Sequence, residues 1–495
     1  MSSRLTRRAM LAGATSVLGQ AAFAGPPTAI LPPPGRGDVP ATPRVERLPG
    51  DQIVARAGLG GDVAYAVIDL ASGEVVDSRL ADRRMPPAST LKSVTALYAL
   101  ERLGPDFRFP TRVLVAGKVS GRRVEGDLIL AGGGDPTLDT DRLAALAISL
   151  REAGVTEVTG RFLVWGAALP TARMIDMDQP DHVGYNPAFG GLNLNFNRVH
   201  FEWKRAGDDY AITMQARALK NRPATGVARM AIEDRAAPVF AYREAAGGSG
   251  DRWSVARRAL GQDGARWLPV RFPAHYCADV FRTLARSNGI VLDPPEIIAT
   301  LPEAQEIARV SSDPLGDILA GMMKYSTNLT AEAVGLTASM SEGVPVSDLL
   351  ASGSRMAGWA TTRIGADNLR FRDHSGLGYG SEIGAGDLAA ILAGNQAARP
   401  LMSKVTVPNP LNRKLPMSGA ACVAKTGTLN FVSSLAGYLT TPSGRDLAFA
   451  ILTADVERRN AIPPEARERP PGARSWASRS RGLQKSLLTH WAALG

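Results

Sequence analysis

Ser89-Thr90-Leu91-Lys92, entered through Pro86-Pro87, opens a stretch whose apolar positions Leu91, Val94, Leu97, Tyr98 and Leu100 keep helical spacing until Gly104-Pro105. The pattern predicts a helix from about Ser89 to Leu103. Residues three apart share a helix face, so the Ser89 hydroxyl and the Lys92 amine can meet. A serine is a weak nucleophile until a base takes its proton, and a lysine serves when desolvation or a nearby cation lowers its pKa. The helix N-terminus adds backbone N–H groups suited to a developing anion. Alone, Ser-x-x-Lys is also what a solvated helix face shows by chance.

Two further clusters carry compatible chemistry. Lys425-Thr426-Gly427 lies in VAKTGTL (423–429), which reads as a strand. Lys425 supplies a fixed cation and Thr426 a hydroxyl, a grip for a carboxylate, and Gly427 has no Cβ to keep a substrate backbone off the strand edge. Ser326-Thr327-Asn328 lies between the other two in sequence. Its serine can relay protons, and its amide can bond both a substrate amide and a lysine. The bland alternatives are a turn for the first cluster and a helix N-cap for the second.

Ser-x-x-Lys, then Ser-x-Asn, then Lys-Thr-Gly, in that order, is the signature of serine penicillin-recognising enzymes. The flanks narrow the resemblance. LAGGGDPTL (130–138), GLNLNFN (191–197), STNLTAE (326–332), DHSGL (373–377), AKTGTL (424–429) and LAGY (435–438) resemble segments of the class C low-molecular-mass penicillin-binding proteins. The chain is thereby identified as a member of the D-alanyl-D-alanine carboxypeptidase/endopeptidase family, with landmarks from about 65 to 450. Two positions depart from the pattern: Thr327 stands where aspartate is usual, and His374 replaces a glycine. Thr327 is the variable middle of Ser-x-Asn, and a lone histidine favours a packing role over substrate contact.

The resemblance implies an α+β fold: a penicillin-recognising, β-lactamase/transpeptidase-like domain with a large β-rich insertion. Ser326 follows Ser89 by 237 residues, where the family carries one or two inserted subdomains. The expected division is a catalytic domain from 46–111 and 301–495 and an insertion over 112–300. It also implies roles. Ser89 attacks the carbonyl between two D-alanines, or a D-amino-acid cross-link, of peptidoglycan stem peptides. Lys92 is the base, and Ser326 and Asn328 relay the proton and position the substrate. Lys425 and Thr426 hold the terminal carboxylate along the Gly427 strand, and the N–H groups of Ser89 and Thr428 form the oxyanion hole. β-Lactams acylate Ser89, and no metal or organic cofactor is needed. Asp181 is a candidate contact for the stem-peptide amine, against a solvated loop aspartate.

Outward from these motifs, DVAYAVID (62–69) reads as a strand, ASGE (71–74) as a turn and Val75-Val76 as the return strand. Residues 112–115 and 126–130 read as strands, about 139–153 as a helix, and Val199, Phe201 and Trp203 alternate as in a half-buried strand. A helical region spans about 315–338, and 423–450 reads as strands with a turn at 441–444. Without regular βαβ alternation the class is α+β.

The 495 residues carry a formal charge of +10, which calls for a nucleic-acid partner to be tested first. Arg4, Arg7 and Arg8, an apolar stretch Ala9 to Leu18 and Ala22-Phe23-Ala24 read as a secretory signal (1–24), with TRRAML (6–11) resembling a twin-arginine motif. The Pro- and Gly-rich residues 25–45 read as a linker. Of the remaining positive charge, most lies in Glu457 to Lys485, where eight basic residues face three glutamates. That stretch reads as a solvated loop and helix face, with attraction to an anionic wall or membrane as a minor alternative. No apolar run reaches the roughly 20 residues of a membrane span, so the expectation is an exported periplasmic or wall-associated protein. No stacking cluster or binding module supports nucleic acid, and the two cysteines, Cys277 and Cys422, stay open between a disulfide and free thiols.

Three alternatives compete with a DD-peptidase. A β-lactamase is disfavoured by the gap between Ser89 and Ser326 and by the lack of an ExxLN motif. A non-catalytic wall-binding protein is disfavoured by the intact Ser89, Lys92, Ser326, Asn328 and Lys425. A nucleic-acid binder rests on charge alone.

Overall fold

In the computed structural model, which describes residues 49–366 and 369–494, the strand Asp62–Asp69 pairs on one side with Val75–Arg79 and on the other with Asp446–Ala454. The sequence continues that sheet antiparallel through Val432–Thr440 and Ala421–Leu429 to the short edge Ser403–Lys404. The signal and linker readings lie outside the described residues.

Both faces of this six-stranded sheet are covered, so its strands read as apolar runs rather than clean alternations. One face is paved with small side chains, Ala64, Ala66, Ala448 and Ala450, against which the helix Ala385–Gly394 packs. Val63, Tyr65, Val67, Phe449 and Ile451 point the other way, against Leu483, Leu487, Leu488 and Trp491 of the C-terminal helix Ala473–Ala492. On the first side lies Leu91–Leu103, where every residue from Leu91 to Ala99 is buried. A helix buried on all sides lies inside a helical layer; its neighbours are Leu315–Tyr325, Asn328–Met340 and Leu349–Ile364. Lys92 is carried into the core by this helix. The helical region read at 315–338 is broken at Ser326, whose φ of 56° ends the first helix in the left-handed region.

The middle of the chain builds three further sheets with a core of their own. One contains Pro110–Ser120, Arg123–Gly132, Phe162–Trp165, Glu296–Ile298 and Gln305–Ser311. Gln305–Ser311 is antiparallel to Pro110–Ser120, with Ser311 opposite Pro110, so the chain enters and leaves this block on adjacent strands. The other two are three-stranded, Phe240–Glu244 with Asp251–Ala256 and Ala228–Glu233, and Asp263–Pro269 with Arg198–Ala206 and Asp209–Gln215. The helices Thr140–Glu152 and Pro273–Ser287 complete the core. The family-like segments of this block are architectural. Gly133 lets Pro110 approach, since a Cβ there would lie 2.5 Å from the Pro110 carbonyl oxygen. Asn193, Asn195 and Asn197 are buried; Asn197 Nδ2 cross-links their turn by donating to Asn193 Oδ1 at 2.9 Å, and Asn195 Nδ2 ties it to the helix Thr140–Glu152 by donating to Thr140 Oγ1 at 2.8 Å.

Cys277 lies in the core of the middle block and Cys422 in the core behind the six-stranded sheet; both are free thiols, and burial pushes both up in pKa. No helix among the described residues is long and apolar enough to cross a membrane.

His374 is fully buried and held neutral, its pKa lowered to about 3 by burial. Its Nε2 lies 2.7 Å from Ser352 Oγ, and its ring lies flat against Gly335, where a Cβ would fall 2.1 Å from His374 Cγ. Packing, not substrate contact, is its role. Gly335→Ala therefore costs about 2 kcal/mol of unfolding free energy through overpacking, and combining it with His374→Gly recovers part of that loss. Urea denaturation of the two single variants and the double variant measures the coupling.

Candidate active site

Ser89 sits in the single turn Ala88–Thr90 that leads into the buried helix. The turn is forced: Ala88 has φ 48°, sparsely populated for a residue with a Cβ, and Thr90 Oγ1 and Ser434 Oγ both donate to the Pro87 carbonyl, at 2.7 and 2.6 Å. One helical turn on, Lys92 Nζ is 3.0 Å from Ser89 Oγ, 2.7 Å from Asn328 Oδ1 and 2.8 Å from the Ser375 carbonyl oxygen. Burial, then the Lys425 cation, lowers the Lys92 pKa to about 7. Two of the three neighbours are acceptors only. A neutral amine donates its two N–H bonds to them and leaves its lone pair facing Ser89 Oγ.

Ser326 and Asn328 come from the break between two helices. Asn328 is not spent on capping: its Oδ1 accepts from Lys92, and its Nδ2 donates to the Tyr185 carbonyl at 2.9 Å. Ser326 Oγ accepts from Lys425 Nζ at 3.0 Å. Lys425 is buried, with its pKa lowered to about 8 by desolvation, and it also donates to the Thr426 carbonyl at 2.8 Å. Thr426 and Thr428 are exposed on the outward side of the strand, and Gly427 faces inward. The missing Cβ at Gly427 makes room for the chain itself rather than for a ligand, since it would meet Ser434 Oγ at 2.1 Å and Pro87 O and Ser89 N at 2.9 Å. That close approach holds the Lys425 strand against the Ser89 turn.

Ser89, Ser326, Asn328 and Thr428 open onto one cleft of about 900 Å³, with Lys92 and Lys425 buried behind them. Thr428, Leu429 and Asn430 extend its wall along one strand end, and the middle block closes it with Asp176, Asp178 and Tyr185. Asp181 is exposed and does not line it; its carbonyl accepts from Arg271 Nη2 at 2.6 Å. Sequence reasoning missed three contributions. Ser375 and Tyr185 act through carbonyl oxygens, which any residue offers. Glu332 is buried and accepts the N–H groups of His374 and Ser375, at 2.9 and 3.0 Å, so it shapes the loop that carries the Ser375 carbonyl. A glutamate inside the apolar run 329–338 was the available signal.

Arginines of 457–485 also reach the site. Arg459, Arg467, Arg474 and Arg481 line the cleft; Arg474 and Arg481 stay exposed, as a solvated face requires, whereas Arg459 and Arg467 are half-buried. Before the last helix the chain comes back to the cleft, Arg459 donating to the Asn430 carbonyl at 3.2 Å and Arg467 to the Asp178 carbonyl at 2.7 Å, contacts that no local pattern encodes.

The family model for D-Ala-D-Ala carboxypeptidase 3 (S13) matches residues 51–469. The chain belongs to that family. It is a serine peptidase, and the DD-peptidase reading of its motifs stands. It is 30% identical over 446 residues to the D-alanyl-D-alanine carboxypeptidase of Actinomadura sp. strain R39, covering 81% of this chain and 79% of that protein. Its fold is similar to that of penicillin binding protein 4 from Haemophilus influenzae, with a TM-score of 0.69, 20% identity and coverage of 89% and 99% of the two chains. A second structure of that protein, complexed with a β-lactam, has a TM-score of 0.67 and 19% identity over the same shares.

This S13 peptidase takes one wall of its cleft from the middle block, and Arg271 holds that wall. Its guanidinium is buried and donates to the carbonyls of Arg173, Asp181 and Asn186, at 2.9, 2.6 and 2.7 Å, while its own N–H donates to Asp251 Oδ2 at 3.1 Å. Those carbonyls bracket the segment that carries Asp176 and Tyr185. Arg271→Met orphans three buried acceptors and costs about 3 kcal/mol of stability. Acylation by benzylpenicillin slows with it, because Asn328 loses its Tyr185 anchor; stopped-flow kinetics beside a denaturation curve measure both.

Proposed function

We propose that the chain removes the terminal D-alanine from peptidoglycan stem peptides, and opens D-amino-acid cross-links, through an acyl-enzyme on Ser89. The observation that carries this reading is the buried Lys92 amine, whose lone pair faces Ser89 Oγ when neutral. In the acylation step Lys92 takes the Ser89 proton as Oγ bonds to the carbonyl carbon of the penultimate D-alanine. The N–H groups of Ser89 and Thr428 hold the oxyanion; losing one such donor costs about 10²–10³ in rate. The C–N bond then breaks, and the proton held by Lys92 passes, directly or through Ser326, to the departing amine. Lys425, with the Thr426 hydroxyl, holds the terminal carboxylate, and Gly427 keeps their strand against the Ser89 turn. Water then attacks the ester, Lys92 takes its proton, and Ser89 Oγ leaves protonated. No step calls for a metal or organic cofactor.

β-Lactams carry an amide and a carboxylate in the same relation, so they acylate Ser89 and leave slowly. The similar Haemophilus protein forms a complex with a β-lactam, which supports β-lactam binding at this cleft. Peptidoglycan as substrate agrees with the basic leader and its small-residue cleavage site, which point to export.

Benzylpenicillin adds its own mass to the intact protein, on the peptide containing Ser89, and Ser89→Ala abolishes both the adduct and D-alanine release; a wild-type protein with no adduct refutes the reading. The pH dependence follows from the two lysines. Lys92 must be neutral to take a proton, so kcat/KM rises as pH climbs through about 7. Lys425 must be charged to hold a carboxylate, so kcat/KM falls as pH passes about 8. The profile is a narrow bell with its optimum between those values. Lys425→Met removes the alkaline limb.

A further inference from the structure

Beyond Asn430 the cleft at Ser89 continues into a second hollow of about 680 Å³, and the two share Tyr185, Asn430, Glu468, Ala473 and Arg474. Their combined walls hold six arginines against three carboxylates. The carboxylates are engaged: Asp178 pairs with Arg467 at 3.1 Å, Glu468 lies 2.9 Å from His182 and 3.8 Å from Arg266, and Asp176 accepts from Gln179 at 2.8 Å. Arg469, Arg474 and Arg481 are exposed and pair with no carboxylate among the described residues. Arg474 and Arg481 stand seven residues apart on one face of Ala473–Ala492, about 10 Å along the helix. Ala473 and Ala477 beside them leave the floor open. Guanidinium groups gathered on a concave wall focus a positive potential into it and present donor forks that match carboxylates.

The direction of the groove says which part of a substrate meets that wall. On the strand that abuts Ser89, Lys425 and Thr426 precede Gly427, and Leu429 and Asn430 follow it. With the departing terminus at Lys425, the acyl side of the substrate leaves past Asn430 and into the second hollow.

We propose that Arg474 and Arg481 form an anion subsite that selects donor peptides carrying free carboxylates, rather than carboxamides, on the residues upstream of the scissile D-alanine. This rests on the reading of Ser89 as the acylated residue. The subsite binds through charge-assisted hydrogen bonds, and it gives a use to the guanidinium groups of the C-terminal stretch that border the cleft.

The test compares acetyl-Glu-Glu-Lys-D-Ala-D-Ala with acetyl-Gln-Gln-Lys-D-Ala-D-Ala, as the ratio of their kcat/KM values. The wild type favours the carboxylate peptide by roughly tenfold at low salt, as expected of two exposed ion pairs. The ratio falls toward one in 0.5 M NaCl and in the Arg474→Gln/Arg481→Gln variant, and Arg474→Lys/Arg481→Lys retains most of it. A wild-type ratio near one, or a Gln/Gln variant that keeps the preference, overturns the proposal. Benzylpenicillin labelling of Ser89 in the same wild-type preparation separates the two readings. Labelling without a preference defeats the anion subsite alone; no labelling and no cleavage of either peptide defeat the DD-peptidase mechanism with it.

Discussion

A lysine amine buried out of reach of water, between one hydroxyl and two carbonyl-type oxygens, is the arrangement on which the rest of this site depends. In water an ammonium is heavily favoured at neutral pH; inside the helical layer its charge loses solvation, and the nearby Lys425 cation opposes it further. The opposing influence comes from Glu332 and Asp373, both buried and both attracting a positive Lys92. Burial pushes both carboxyls up, which weakens that pull, and each is committed to backbone N–H groups of the 373–378 loop. The two acids thus build the loop whose Ser375 carbonyl orients Lys92, and they do so without fixing the lysine in its charged form.

Backbone strain gathers at the same place. Ala88, beside Ser89, and Ser326 both hold left-handed conformations that residues with a Cβ avoid, at a cost of order 1–3 kcal/mol each. Neither can relax. Ala88 is pinned by the strand at Gly427 and by Gly376, where a Cβ would lie 2.0 Å from the Ala88 carbonyl oxygen. Ser326 is fixed by the helices on either side of it and by the Lys425 bond. The surrounding sheet and helices over-determine both serines, so their hydroxyls are presented in position before any ligand arrives.

Much of this was legible from residue order because the signals are local. The strand at Asp62–Asp69, the helix at Leu91–Leu103 and the hairpin strands after Ala421 follow from period and turn residues within ten or fifteen positions. The candidate residues Ser89, Lys92, Ser326, Asn328 and Lys425 were legible because three short motifs occur in a fixed order, and the structure gathers them at hydrogen-bond distance. What was not legible is carried by main-chain atoms or by distant pairing. The Tyr185 and Ser375 carbonyls have no residue-type signature. Arg271 matters through three carbonyls some ninety residues away in sequence, and Gly427 is small because of Pro87 and Ser89, which only the fold brings near it.

The same distinction explains the charge. Counted along the chain, the arginines after Glu457 look like a solubilising tail, since period and composition say nothing about concavity. In the fold, the helix Ala473–Ala492 spends Trp476, Leu483, Leu487 and Trp491 on the cores behind the sheet, which fixes its rotation. With that rotation fixed, positions 474, 477 and 481 fall on the side that borders the cleft. The apolar stripe, chosen by packing, therefore decides where the guanidinium groups go. Ser89 and the arginines end up on one continuous groove because a single helix both seals the core and edges the cleft, so charge there cannot change without altering the field that an approaching substrate meets.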